Sequence, residues 1–117
     1  MKRVFAVMTG MILVLAALTT AHASSYIYTS FDYPGALFTI PYSINDTGTI
    51  VGSYEDTSFA FHGFTLSGTT YTSIDYPGAT FTIAYGINNS GTIVGYYEDT
   101  NGVDHGFTLS GTTYTSF

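Results

Sequence analysis

The 117-residue chain has eight acidic and two basic residues, a formal charge of −6, 17% aromatic residues, and neither cysteine nor tryptophan. Both cations, Lys2 and Arg3, stand at the extreme N-terminus, so the chain from residue 4 onward has no lysine or arginine. Those counts exclude a counterion-displacing nucleic-acid face, a P-loop, an arginine phosphate clamp, disulfides, thiol catalysis and cysteine metal sites.

Residues 1–23 read as a cleavable signal peptide with a helical apolar core. Lys2-Arg3 supply the positive start, Val4 to Leu18 an apolar run, and Ala21-His22-Ala23 a small-x-small cleavage site. The run is shorter than the roughly 20 residues that a membrane-spanning helix needs, which argues against an uncleaved anchor. The expected product is a secreted, extracellular or periplasmic chain with no membrane span and a formal charge of −8.

The rest is a repeat. Residues 28–70 and 71–113 align without gaps at an offset of 43 and agree at 32 of 43 positions, and Tyr114-Thr115-Ser116-Phe117 opens a third copy. Each copy predicts four strands. In the second copy the first, Tyr71 to Asp75, ends at Tyr76-Pro77-Gly78, where proline fixes φ and glycine accepts a positive φ. Phe81 to Asn88 alternates, which places Ile83, Tyr85 and Ile87 on one face. Asn88-Asn89-Ser90-Gly91 is a hairpin turn, matched by Asn45-Asp46-Thr47-Gly48. Thr92 to Glu98 and His105 to Leu109 complete the set around a longer loop, Asp99 to Asp104.

Four strands in 43 residues is the spacing of a β-propeller blade. The predicted fold is all-β: two four-stranded antiparallel blades, 36–74 and 79–117, behind a leading edge strand within 24–35. Pro41 cannot donate to a central ladder, so its strand should be an edge, which gives the within-blade order Phe81–Asn88, Thr92–Glu98, His105–Leu109, then the returning strand. Two blades cannot close a ring and leave edges exposed, so self-association through blade edges is expected.

Asp75-Tyr76-Pro77-Gly78-Ala79, Gly86-Ile87-Asn88, Gly91-Thr92-Ile93-Val94-Gly95-Tyr96 and His105-Gly106-Phe107 resemble the bacterial probable extracellular repeat, HAF family. The first copy departs from that pattern at Ser43 and Ser53. The resemblance implies export and a tandem β-repeat, and it carries over no catalytic residue.

Asp32, Glu55, Asp56, Asp75, Glu98 and Asp99 invite a glycosidase reading. They recur in register, however, as structural residues do, whereas catalysis needs one asymmetric set. We therefore expect no catalytic residue, cofactor or metal, and structural roles for Asp32, Pro34, Gly35, Asp75, Pro77 and Gly78 in the turns. His62 and His105 should bond a carboxylate of their own blade. Asp99 to Asp104 loosely imitates a calcium loop but lacks its terminal glutamate. Asn45 and Asn88 open glycosylation sequons whose composition hairpin turns also explain.

Four of the 11 mismatches between copies are consecutive: Ser58-Phe59-Ala60-Phe61 against Asn101-Gly102-Val103-Asp104. Loops carry function on rigid scaffolds, so these are the candidate binding loops. The expected function is non-catalytic binding or self-assembly at or outside the cell envelope. The alternative is a lectin-like module forming an oligomeric propeller and binding glycan on tyrosines such as Tyr33, Tyr76, Tyr96 and Tyr97.

Overall fold

The computed structural model describes residues 24–117, so the expected signal peptide lies outside the described residues. Phe31–Phe117 forms one compact unit of eight strands. Among the described residues there is no helix, and so none long and apolar enough to cross a membrane. One sheet contains β1 (Phe38–Ile44), β2 (Ile50–Glu55), β3 (Phe61–Ser67) and β4 (Thr70–Ile74). The other contains β5 (Phe81–Ile87), β6 (Ile93–Glu98), β7 (Asp104–Ser110) and β8 (Thr113–Ser116). Both are antiparallel meanders in chain order, the order inferred from Pro41, with that proline on the edge strand β1.

Two expectations change. Residues 26–33 form no strand. Their counterparts in the repeat form β4, which is held by pairing with β3, and among the described residues the leading segment finds no such partner strand. Nor does β5 alternate cleanly. Its register against β6 shifts between Ala84 and Gly86, as that of β1 against β2 does between Pro41 and Ser43. The extra residue is a tyrosine in both cases, Tyr42 or Tyr85. The bulge reverses the phase of the strand, so Ile83 pairs with Tyr96 while Ile87 pairs with Ile93 on the opposite face.

Two apolar clusters hold the unit together. One joins the blades: Val51 and Ile74 from the first pack with Ala84, Ile93, Tyr97, Phe107 and Leu109 from the second. The sheets approach closely because Gly63 presents no side chain to Ala84; a Cβ built there would lie 3.2 Å from the alanine methyl. The other cluster is Tyr54, Phe64 and Leu66, capped by Phe31, Tyr33 and Ala36. Hairpin tips add a polar joint, in which Asp46 N–H donates to Asn89 Oδ1 at 2.9 Å and Asn89 Nδ2 donates to Asp46 Oδ2 at 2.8 Å.

Candidate functional site

The Asp-Tyr-Pro-Gly turn binds one blade to the next through its two leading side chains. Ala79 N–H closes the turn on Tyr76 C=O at 3.1 Å with Gly78 at φ +81, as its copy Gly35 stands at φ +79. Tyr76 N–H donates to Thr82 Oγ1 at 2.9 Å, and Tyr33 N–H makes the same bond to Thr39. The tyrosine ring then stacks forward onto the next blade. Tyr76 lies 3.6 Å from Tyr97 at an interplanar angle of 2°, and Tyr97 lies over His105; Tyr33, Tyr54 and His62 repeat this stack. Tyr33, Tyr76 and Tyr97 thus pack within the fold, with Tyr97 9% exposed, and are not free platforms.

The aspartate reaches back. Asp75 Oδ1 meets His62 Nδ1, and its Oδ2 accepts from Ser73 Oγ at 2.7 Å, which in turn contacts Tyr54 Oη at 3.0 Å. Asp75 is thus held by side-chain bonds, and the turn's Tyr76 N–H is given to Thr82 instead. On the other side of the ring, His62 Nε2 lies 3.0 Å from Asp56 Oδ2. His105 Nε2 makes the equivalent contact with Asp99 at 3.0 Å. Burial holds the Tyr54 phenol up at about 12, against the hydrogen bond with Ser73 that lowers it.

This bonding occupies the carboxylates. Asp56 Oδ1 accepts the N–H groups of Ser58 and Ala60, and Asp99 Oδ1 accepts those of Asn101 and Val103. The Asp99 loop is therefore an Asx-type turn built identically in both copies. Among the described residues no group of three His, Asp or Glu side chains is arranged to hold a metal. Glu98 accepts from Thr80 Oγ1 at 2.7 Å. Asn45 and Asn88 spend their side-chain oxygens on Thr49 and Thr92 N–H within the hairpin turns. Asp32 lies exposed.

The opposed shifts of His62 and Asp56 predict a pH profile. Burial lowers the His62 value, but the bonds to Asp75 and Asp56 outweigh it and the net shift is upward from 6.5. Asp56 is shifted downward from 3.8 by the Ala60 N–H and by His62. The histidine's contribution is therefore complete below its unfolded value and lost as pH rises through the higher folded value. That of the aspartate is present above its unfolded value and lost as pH falls through the lower folded one. We expect Tm, followed by circular dichroism, to be higher at about pH 5.5 than at about pH 8.5, and His62→Gln to shrink that difference.

The candidate loops share a left-handed position but fill it with different residues. Phe59 has φ 65 where its counterpart Gly102 has φ 78, and Phe59 is 74% exposed. A bulky side chain in the left-handed region is strained by roughly 1–2 kcal/mol. Phe59→Gly should therefore stabilise the chain, by about 0.5–1 kcal/mol after the entropy glycine adds to the unfolded state. A urea midpoint that falls would contradict this. Ser58 is exposed beside it, Ala60 closes the turn on Asp56 N–H, and Asn101, Val103 and Asp104 are exposed on the second loop.

Phe61 does something else. With Tyr42, Ser53, Phe81, Ile83, Tyr85 and Tyr96 it lines a cleft of about 270 Å³ spanning the two blades. Of the anticipated tyrosine platforms, only Tyr96 lies there. The walls support one another: Tyr42 and Tyr85 rings are 4.7 Å apart, Tyr85 stacks on Tyr96 at 5.7 Å, and Phe81 meets Tyr96 edge-on at 5.6 Å. Tyr42 and Tyr85 are the two bulge residues, so the bulges turn these rings into the cleft. Burial raises the Tyr96 phenol, and the nearby Tyr85 and Asp104 raise it further. Ser53 is 1% exposed and its Oγ finds no hydrogen-bond partner among the described residues. Sequence reasoning missed this cleft because a bulge is invisible in an alternating pattern, although Ser53 opposite Tyr96 was one of the mismatches. Comparison with protein-family models, with curated proteins and with solved structures finds no match for the chain.

Proposed function

We propose that the protein is an exported, non-catalytic β-repeat protein of the extracellular-repeat kind that works by self-assembly, one chain's second blade docking on the first blade of the next. The observation that carries this is the unequal burial of equivalent residues. Val51 and Ile74 are 0% and 3% exposed because the second blade lies on them; their counterparts Val94 and Phe117 are 45% and 77% exposed. On the opposite flank Ala84 is fully buried, whereas Pro41 is exposed and neighbouring Ile44 is 62% exposed. Phe31, Pro41, Tyr42, Ile44 and Ile50 line an open apolar groove of about 310 Å³ there. The two free surfaces are thus repeat copies of the two that already fit together inside the chain, and a second copy continues the interface head to tail.

Sedimentation of the exported chain tests this. Association that increases with concentration and is lost on Val94→Asp or on Ile44→Asp supports the proposal. A chain that melts cooperatively yet stays monomeric at every concentration sinks it. Both substituted residues are exposed in the single chain, so the variants retain the monomer fold.

A further inference from the structure

The aromatic cleft between the blades shares Tyr42 with the groove assigned to the assembly joint, but the rest of its lining is its own and its chemistry is distinctive. Three tyrosines and two phenylalanines line it around one isoleucine and the unpartnered hydroxyl of Ser53. Its volume of about 270 Å³ falls below the range of sites for drug-sized ligands, roughly 300–1,000 Å³, so the occupant is small.

Charge selects among small occupants. Ring faces carry negative quadrupole potential, and rings grouped round a site attract cations, quaternary ammonium groups above all. No lysine or arginine occurs from residue 4 onward, and the two histidines of the compact unit stack on Tyr54 and Tyr97 outside the cleft, so none of its lining residues is a cation that would compete for the ring faces or balance an anion. The Asp104 carboxylate acts on the Tyr96 phenol, so its negative potential reaches one wall of the cleft. A hard, strongly hydrated metal ion would need oxygen ligands that these walls do not supply. A methylated ammonium sheds its weak hydration readily and offers methyl groups to the rings.

Ser53 adds a second selector. A buried hydroxyl with no partner costs about 1–3 kcal/mol, and a ligand that bonds it recovers part of that. The second repeat places Tyr96 at the equivalent position, so this hydroxyl is particular to the joint between the blades. We infer that the cleft formed by Tyr42, Ser53, Phe61, Phe81, Tyr85 and Tyr96 binds a small methylated ammonium cation carrying a short hydroxylated arm, the rings holding the cation and Ser53 Oγ the arm.

The test uses three probes on the wild-type chain, followed by NMR of the ligand methyl signals: choline, tetramethylammonium and 3,3-dimethyl-1-butanol (dimethylbutanol below), the neutral carbon isostere of choline. Choline should bind more tightly than tetramethylammonium by about three- to tenfold, the value of one hydrogen bond, and dimethylbutanol should bind weakest. Ser53→Ala should erase the preference for choline over tetramethylammonium while leaving tetramethylammonium binding unchanged. Tyr85→Leu, at an exposed position, should weaken both cations. The inference is overturned if dimethylbutanol binds as well as choline, or if none of the three binds. It is also overturned if methyl pyranosides bind at the same concentration and choline does not, which would make the cleft a glycan site. All these measurements are made at low protein concentration and do not depend on assembly, so either proposal can fail alone.

Discussion

Replacing Gly95 by alanine should destabilise the chain by about 3–5 kcal/mol, a large share of the roughly 5–15 kcal/mol that holds a small domain folded. An added Cβ would lie 2.0 Å from the Ile83 carbonyl oxygen and 2.9 Å from Phe107 Cε1. The first is backbone and cannot swing aside. It lies so close because the bulge at Tyr85 turns the edge strand inward over β6, so bulge and glycine require each other. Gly52 stands in the same relation to Ile40, at 2.1 Å, and its alanine variant should behave alike. Gly91 provides the contrast: its φ is +84 but nothing lies within 4 Å of a Cβ there. Gly91→Ala should cost only the left-handed strain, about 1–2 kcal/mol. Urea unfolding of the three variants separates steric from conformational demand. Equal midpoints for Gly91→Ala and Gly95→Ala would mean that the bulge yields freely.

Repetition made the architecture legible. Pro41 alone determined which strand is the edge, and the rest of the strand order followed. The bulges were hidden because Ile83, Tyr85 and Ile87 alternate as well as any regular strand, and an extra residue leaves no mark in composition. Partnership of each histidine with a carboxylate could be expected from the pattern, but not which aspartate it takes. His62 takes both, because Asp75 belongs to the segment that joins the blades. The loops between β2 and β3 and between β6 and β7 could be picked out by their mismatches, yet only Phe61 among those eight residues reaches the cleft. The lining is assembled from strands 43 residues apart, and no local window contains it.

Phe107→Ala should be the most damaging core change, at about 3–5 kcal/mol. The ring is fully buried and touches Tyr76, Tyr97 and Tyr114, with centroids 6.0, 6.5 and 5.7 Å away. Those rings carry the turn that links the blades, and the cluster around them includes Val51 and Ile74 from the other sheet. A cavity there loosens the stack and the joint together, and rigid sheets on both sides keep it from collapsing. Phe64, its repeat counterpart, is equally buried but belongs to a cluster capped on one side by Phe31, Tyr33 and Ala36. That cap is a strandless segment free to settle inward, so Phe64→Ala should cost less, about 2–3 kcal/mol. Urea midpoints rank the two. If Phe64→Ala proves the more harmful, the stability of the pair resides in the first blade and its cap rather than in the joint between blades.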